Sequence, residues 1–133
     1  MAVRILIVGP CASGKTTLER RLARLGYDAH SCAQEHSYVP SMWSLVNKPD
    51  VLIYLDAQLS TIAQRSADHW DETYLQELRH RLRHARAHCD FYLATDDLAK
   101  DDVLKMVVKF LESRFAEEGM KKASPPPDLG DLQ

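Results

Sequence analysis

The chain has 133 residues and a formal net charge of -2, with 45% hydrophobic and 27% charged residues. That is one domain's worth of ordinary globular composition, which excludes a separate substrate domain and, with so little net charge, a dedicated nucleic-acid binder. No apolar run approaches the ~18 residues of a membrane span, and Cys11, Cys32 and Cys89 are too few and too scattered for a disulfide framework or a zinc site; a reducing, cytoplasmic setting is expected.

Met1 to Gly9 reads as a strand leading into a motif, not as a signal peptide. Its Val3–Val8 stretch is rich in β-branched residues and ends at Gly9-Pro10, the signature of a buried parallel strand. Lys15–Leu25 follows with Leu18, Leu22 and Leu25 at helical spacing, and Gly26 stands at the stop position. Tyr27–Cys32 is a weaker strand. Residues 33–48 are irregular, with a short helix expected over Met42–Val46. Pro49-Asp50 introduces a second buried strand, Val51–Leu55, and a helix over Gln58–Ala67.

The periodicity predicts one long helix over Glu72–His88, with Leu75, Leu78, Leu82, Ala85 and Cys89 as its core stripe. Phe91–Thr95 is a last strand. Asp101–Phe115 is a last helix, with acids in its first turn and Val103, Met106, Val107, Phe110 and Leu111 on its buried face. The pattern divides the chain into a domain over residues 1–118 and a disordered Pro-rich tail over 119–133. Strands alternating with helices predict a parallel sheet covered on both faces, with the first strand central.

Gly9-Pro10-Cys11-Ala12-Ser13-Gly14-Lys15-Thr16 matches G-x-x-x-x-G-K-[ST] in full, between a strand and a helix. The two glycines let the backbone curl so that successive N–H groups surround a phosphate. The helix adds its positive end. In this pattern Lys15 reaches the β- and γ-phosphates and the Thr16 hydroxyl ligates Mg²⁺. Ser13 adds a hydroxyl, and Thr17 follows in the same first turn.

On this motif the sequence resembles the P-loop kinases of the nucleoside monophosphate and shikimate kinase group. Pro49–Ala57 looks like the strand before their lid, and Arg65 stands where they carry the first lid arginine. The stretch from Asp90 to Leu111 looks like their last strand, adenine-facing loop and closing helix. The resemblance implies a three-layer α/β P-loop NTPase fold; the strands read from this sequence make a small sheet of about four, where five are usual in that group. It also implies ATP and Mg²⁺ as cofactors and phosphoryl transfer to an unnamed small acceptor. Thr95 and Asp96 then lie near adenine, the alternative being simple capping of the last helix. The lid and the acceptor segment are both short, since residues 27–48 hold the latter and Ser66–Glu72 passes straight into a helix.

Two acids compete for the metal. Glu35 follows the second strand in Gln34-Glu35-His36-Ser37, a polar set beside the phosphates if that strand pairs with the first. It would hold Mg²⁺ or orient a nucleophile, with His36 on the phosphate or the acceptor. Asp56 ends the third strand as a Walker B acid does, but capping of the next helix also explains it. Glu35 is the expected acid. Arg65 is read as a phosphate contact, against a solvated helix residue. Cys11 is a small loop residue or a redox brake on nucleotide binding. Trp70 anchors the next helix. His80, His84 and His88 with their arginines form a basic stripe facing solvent or a partner, not a metal site. The function expected first is a small kinase; a nucleotide sensor or slow ATPase read by a protein partner comes second, and a degenerate phosphate-binding scaffold third. A homodimer stays open.

Overall fold

The computed structural model describes residues 3–46, 48–66 and 71–116. Its elements are β1 (Arg4–Val8), α1 (Lys15–Arg24), β2 (Asp28–Ser31), a 3-10 turn (Gln34–His36), α2 (Met42–Val46), β3 (Val51–Asp56), α3 (Leu59–Arg65), α4 (Glu72–Arg81), α5 (Arg83–His88), β4 (Phe91–Ala94) and α6 (Lys100–Ala116). The strands form one all-parallel sheet in the order β2-β1-β3-β4, so the most apolar strand is internal as expected. The proposed tail, and the expectations for Ala67 and Trp70, lie outside the described residues. Among the described residues no helix is long and apolar enough to cross a membrane.

Side-chain alternation builds three layers from the two central strands. Ile5 and Ile7 of β1 and Val51, Ile53 and Leu55 of β3 pack with Leu18 and Leu22 of α1 and Val107 and Leu111 of α6. Leu6, Val8, Leu52 and Tyr54 point to the opposite face, where Trp43 of α2, Leu82 between α4 and α5, and Ala85 of α5 cover them. A strand buried on both faces must be apolar at every position, which is why β1 and β3 read as unbroken apolar runs. Each fully buried Leu or Ile contributes about 2 kcal/mol.

Register is pinned by two aspartates that precede strands. The Asp50 N–H donates to Arg4 O at 2.8 Å while Asp50 Oδ2 accepts from the Arg4 N–H at 2.8 Å. Asp90 repeats this on Leu52, with its N–H to Leu52 O at 2.8 Å and Oδ2 accepting from the Leu52 N–H at 2.7 Å. Strands started in step also end in step. Cys32 N–H reaches Ile7 O at 3.0 Å and Thr95 N–H reaches Asp56 O at 2.9 Å. The segments after all four strands therefore gather along one edge of the sheet.

Three expectations are corrected. The helix expected over 72–88 is interrupted at Leu82, whose N–H is shared at 3.1 Å between Leu78 O and Arg79 O. That sharing tightens one turn without moving the stripe, so Leu75, Leu78, Leu82 and Ala85 are all fully buried. The buried face of α6 is Val107, Leu111 and Phe115, whereas Met106 is 41% exposed. One residue turns a helix by roughly 100°, enough to carry Met106 off a face that follows i, i+4. His84 is not a solvated residue of a basic stripe: its Nδ1 accepts from Trp43 Nε1 at 3.0 Å, and its ring stacks on His88.

The corrected face gives a test. Val107→Ala should cost about 2 kcal/mol by urea denaturation, and Met106→Ala less than about 0.5 kcal/mol. Equal losses would restore Met106 to the core.

Candidate functional site

The loop between β1 and α1 is shaped by a steric contact. Gly9 has φ +150°, and a Cβ there would lie 2.0 Å from Leu55 O of β3. Only glycine lets the chain leave β1 so close to its neighbour. Gly14 has φ +107° and is the N-cap of α1. It supplies no side-chain cap, and the first turn holds no acid. By contrast Asp71 caps α4 by accepting the Tyr74 N–H at 2.8 Å. The first-turn amides of a helix have no intrahelical acceptor, so those of Lys15, Thr16 and Thr17 are directed at the site by a helix end that omits its cap. Ala12 is also left-handed, at φ 62°. Ser13 is buried, and its Oγ has no hydrogen-bond partner.

Lys15 is held at three points: its Nζ donates to Gly9 O at 2.7 Å, to Pro10 O at 3.2 Å and to Glu35 Oε2 at 2.6 Å. Glu35 is 3% exposed, and its second oxygen, Oε1, is buried without a partner. Its position is set by Gln34. That fully buried amide donates to Val39 O and Arg81 O and accepts the Trp43 N–H at 2.8 Å, tying the 3-10 turn to α2 and α4. Arg81 adds a bond to Glu35 O and lies over the Tyr38 ring.

Two residues join this corner from the loop and the turn. Cys11 Sγ lies 3.4 Å from Glu35 Oε2 and 3.2 Å from His36 Nε2. Burial first, and then the Glu35 carboxylate, push the Cys11 thiol above its ordinary pKa.

On the other side of the loop, Arg65 at the end of α3 joins three groups. Its guanidinium donates to Ala12 O at 3.1 Å, Thr95 Oγ1 at 3.0 Å and Thr95 O at 2.6 Å. The buried Thr95 hydroxyl in turn lies 3.0 Å from Ser13 O. The residue expected near a ligand by resemblance thus fastens the loop to the end of β4.

Asp56 stands across β1 from Glu35, as the strand order requires, but its carboxylate is occupied. Oδ1 accepts from the Ala57 N–H at 2.9 Å and Arg79 at 3.2 Å, and Oδ2 from the Tyr92 hydroxyl at 2.7 Å. Burial, followed by this bond, pushes Tyr92 up to about 12. Asp56 is not the cap of α3; the N-cap is Gln58, whose N–H donates to Asp96 Oδ1 at 2.7 Å. Asp96 therefore serves the start of α3, and only Thr95 of the pair faces the cleft described next. Hydrogen bonds from Thr61 and the Gln58 N–H outweigh burial and hold the Asp96 carboxyl below its usual value.

Two clefts meet at the loop. The first, about 500 Å³, is lined by the loop, Arg21, Arg65, Thr95, Leu98 and Val103. The second, about 470 Å³, is lined by Cys11, Lys15, Thr16, Cys32, Glu35 and His36. Ala12, Gly14 and Thr17 line both. Arg79 and Tyr92 were not expected at the site, whereas Gln34 belongs to the polar set read from the sequence. The first two answer a strand-end acid from 23 and 36 residues away, a spacing with no local signature.

No family model matches the chain, and no curated protein is significantly similar to it.

The close approach at Gly9 is testable. Gly9→Ala should cost about 3 kcal/mol, from overlap with Leu55 O together with backbone strain. A loss below about 1 kcal/mol in urea denaturation would show that the loop can leave β1 by another path.

Proposed function

We propose that this chain has the P-loop NTPase fold, binds ATP with Mg²⁺ and transfers a phosphoryl group to a small acceptor in the cytoplasm. The observation that carries this reading is the pair of clefts meeting across one glycine loop beside the Lys15–Glu35 pair. A donor and an acceptor approaching from opposite sides of a phosphate site need that layout.

The first cleft suits the base and sugar, with Leu98 and Val103 as apolar wall and Arg21 and Arg65 as cations. The phosphates lie along the loop, where the uncapped amides of α1 and the Lys15 ammonium meet their charge. The unpartnered Ser13 Oγ adds a donor there. Arg65 brings a second positive charge to the seam while keeping Ala12 in place. The acceptor occupies the second cleft, beside His36 and Glu35.

The donor set fits Mg²⁺. Glu35 offers a buried oxygen without a partner, and the Thr16 hydroxyl lines the same cleft; both are hard oxygen ligands. When bound there, Mg²⁺ neutralises charge on the transferring phosphoryl group. Asp56 makes a poor ligand by comparison, because Arg79, Tyr92 and the Ala57 N–H already use its carboxylate. Glu35 is therefore the acid assigned to the metal.

A second reading, a slow ATPase or nucleotide sensor, is favoured by one observation. Only residues 66–71 join α3 to α4, too few for a lid that closes over the phosphates. Water then has easier access to the transferring group.

Calorimetric titration with Mg²⁺ and ATP tests binding. Lys15→Ala should weaken affinity at least tenfold, about 1.4 kcal/mol; equal affinities would overturn the proposal. Turnover tests the acid. Glu35→Gln should lower phosphoryl transfer or hydrolysis more than Asp56→Asn, which should act through stability by about 1 kcal/mol. The reverse order would give the metal to Asp56.

A further inference from the structure

Cys11 has no part in the nucleotide reading, yet it meets Glu35 and His36 in a cluster. Their contacts are 3.2 Å from sulfur to the His36 ring nitrogen, 3.4 Å from sulfur to Glu35 Oε2, and 3.9 Å between that oxygen and the ring nitrogen. Across the described residues, these are the side chains whose sulfur, nitrogen and oxygen atoms come within 4.8 Å of one another in a set fit for a metal ion.

Zinc bonds of about 2.0–2.3 Å in tetrahedral array put neighbouring ligand atoms roughly 3.3–3.7 Å apart. The three contacts fall within a few tenths of an ångström of that range. A thiolate, an imidazole and a carboxylate are a borderline-soft set that favours zinc over magnesium. Glu35 meets Cys11 and His36 through Oε2, which also accepts from Lys15, and its other oxygen adds a second observation. Glu35 is 3% exposed, and its Oε1 has no hydrogen-bond partner. A buried carboxylate oxygen left bare is costly unless a cation uses it.

We propose that Cys11, Glu35 and His36 bind one Zn²⁺ ion, and that this ion excludes the magnesium nucleotide. The Cys11 thiol releases its proton to solvent as the zinc–sulfur bond forms. Thiolate and carboxylate together balance the charge of the ion. Three protein ligands leave a fourth position for water. Exposed His36 stands at the mouth of the second cleft, giving the ion a way in. The exclusion has a direct cause. Zinc takes the carboxylate that holds Lys15 at 2.6 Å and places a second cation beside that ammonium. This exclusion rests on the nucleotide reading above; the zinc site itself does not.

Zinc binding is therefore measured first on the full chain without nucleotide, by competition with a chromophoric chelator, so a chain that failed to bind ATP would still answer. One equivalent should bind. Cobalt in its place should give a thiolate-to-metal charge-transfer band and the intense visible absorption of four-coordination. Cys11→Ser should abolish the band, and both Cys11→Ser and His36→Ala should weaken zinc binding at least tenfold. Cys32→Ser and Cys89→Ser should keep the band. His36 is an exposed turn residue, so its variant reports on the site even where a loop substitution unfolds the chain. Wild-type zinc affinity in His36→Ala, or a band lost in Cys32→Ser or Cys89→Ser, overturns the site. With zinc bound, ATP affinity should fall at least tenfold; unchanged affinity at saturating zinc overturns the exclusion.

Discussion

The pairing of Lys15 with Glu35 is the contact around which the site is arranged. Of the ion pairs among the described residues, it has both partners best shielded, at 11% and 3% side-chain exposure. Removing two charges from water is expensive, and their attraction seldom returns more than that cost. Such a pair is poor support for stability and good support for position. It fixes the ammonium over the loop carbonyls of Gly9 and Pro10 and brings the turn after β2 against the loop after β1. Everything that faces the second cleft depends on that closure. The geometry beneath it comes from backbone. Asp50 and Asp90 set the strands in register, Gly9 passes under Leu55 O, and the strand ends arrive together.

The fold was legible where burial is extreme. β1 and β3 are covered on both faces, so each position had to be apolar and the runs stood out. β2 and β4 lie at the edges with half-buried patterns, and their signals were correspondingly weaker. Helix existence was readable from spacing, but helix phase was not always. Val103, Met106, Val107, Phe110 and Leu111 admit more than one stripe on α6, and contact with Leu18, Leu22 and the sheet selects the stripe that ends at Phe115. The break at Leu82 left no trace in the sequence because the stripe passes through it intact.

The site divides in the same way. The glycine loop was legible because its geometry is local: eight consecutive residues carry the turn, the uncapped helix start and the lysine. Glu35 was found by combining a strand end with a crossover rule, which is one step less local. Asp56 had an equal claim on those grounds. What separates the two acids is company from distant segments: Arg79 and Tyr92 surround Asp56, while Lys15 leaves one oxygen of Glu35 free. Arg65 followed the same logic. Its proximity to the loop was expected, but its bonds to Ala12 and Thr95 needed the end of β4 in place. Counting cysteines argued against a metal site because that count looks for ligands close in sequence. Cys11 meets Glu35 and His36 across 24 and 25 residues, brought there by the parallel pairing of β1 with β2.

Under the two proposals one carboxylate serves cations of different character. Towards Lys15 and the glycine loop it would be a hard oxygen ligand beside the proposed phosphate site. Towards Cys11 and His36 it is the third member of a softer set. The two uses would compete, because both draw on the Glu35 carboxylate. The residue at the third position of the loop decides whether the second use exists at all. With serine or alanine there, the corner would hold only a carboxylate and an exposed imidazole, too few ligands to retain zinc against water. With Cys11, the corner gains a soft ligand that the proposed nucleotide site does not need. Gln34, by clamping the turn to α2 and α4, keeps Glu35 and His36 within its reach.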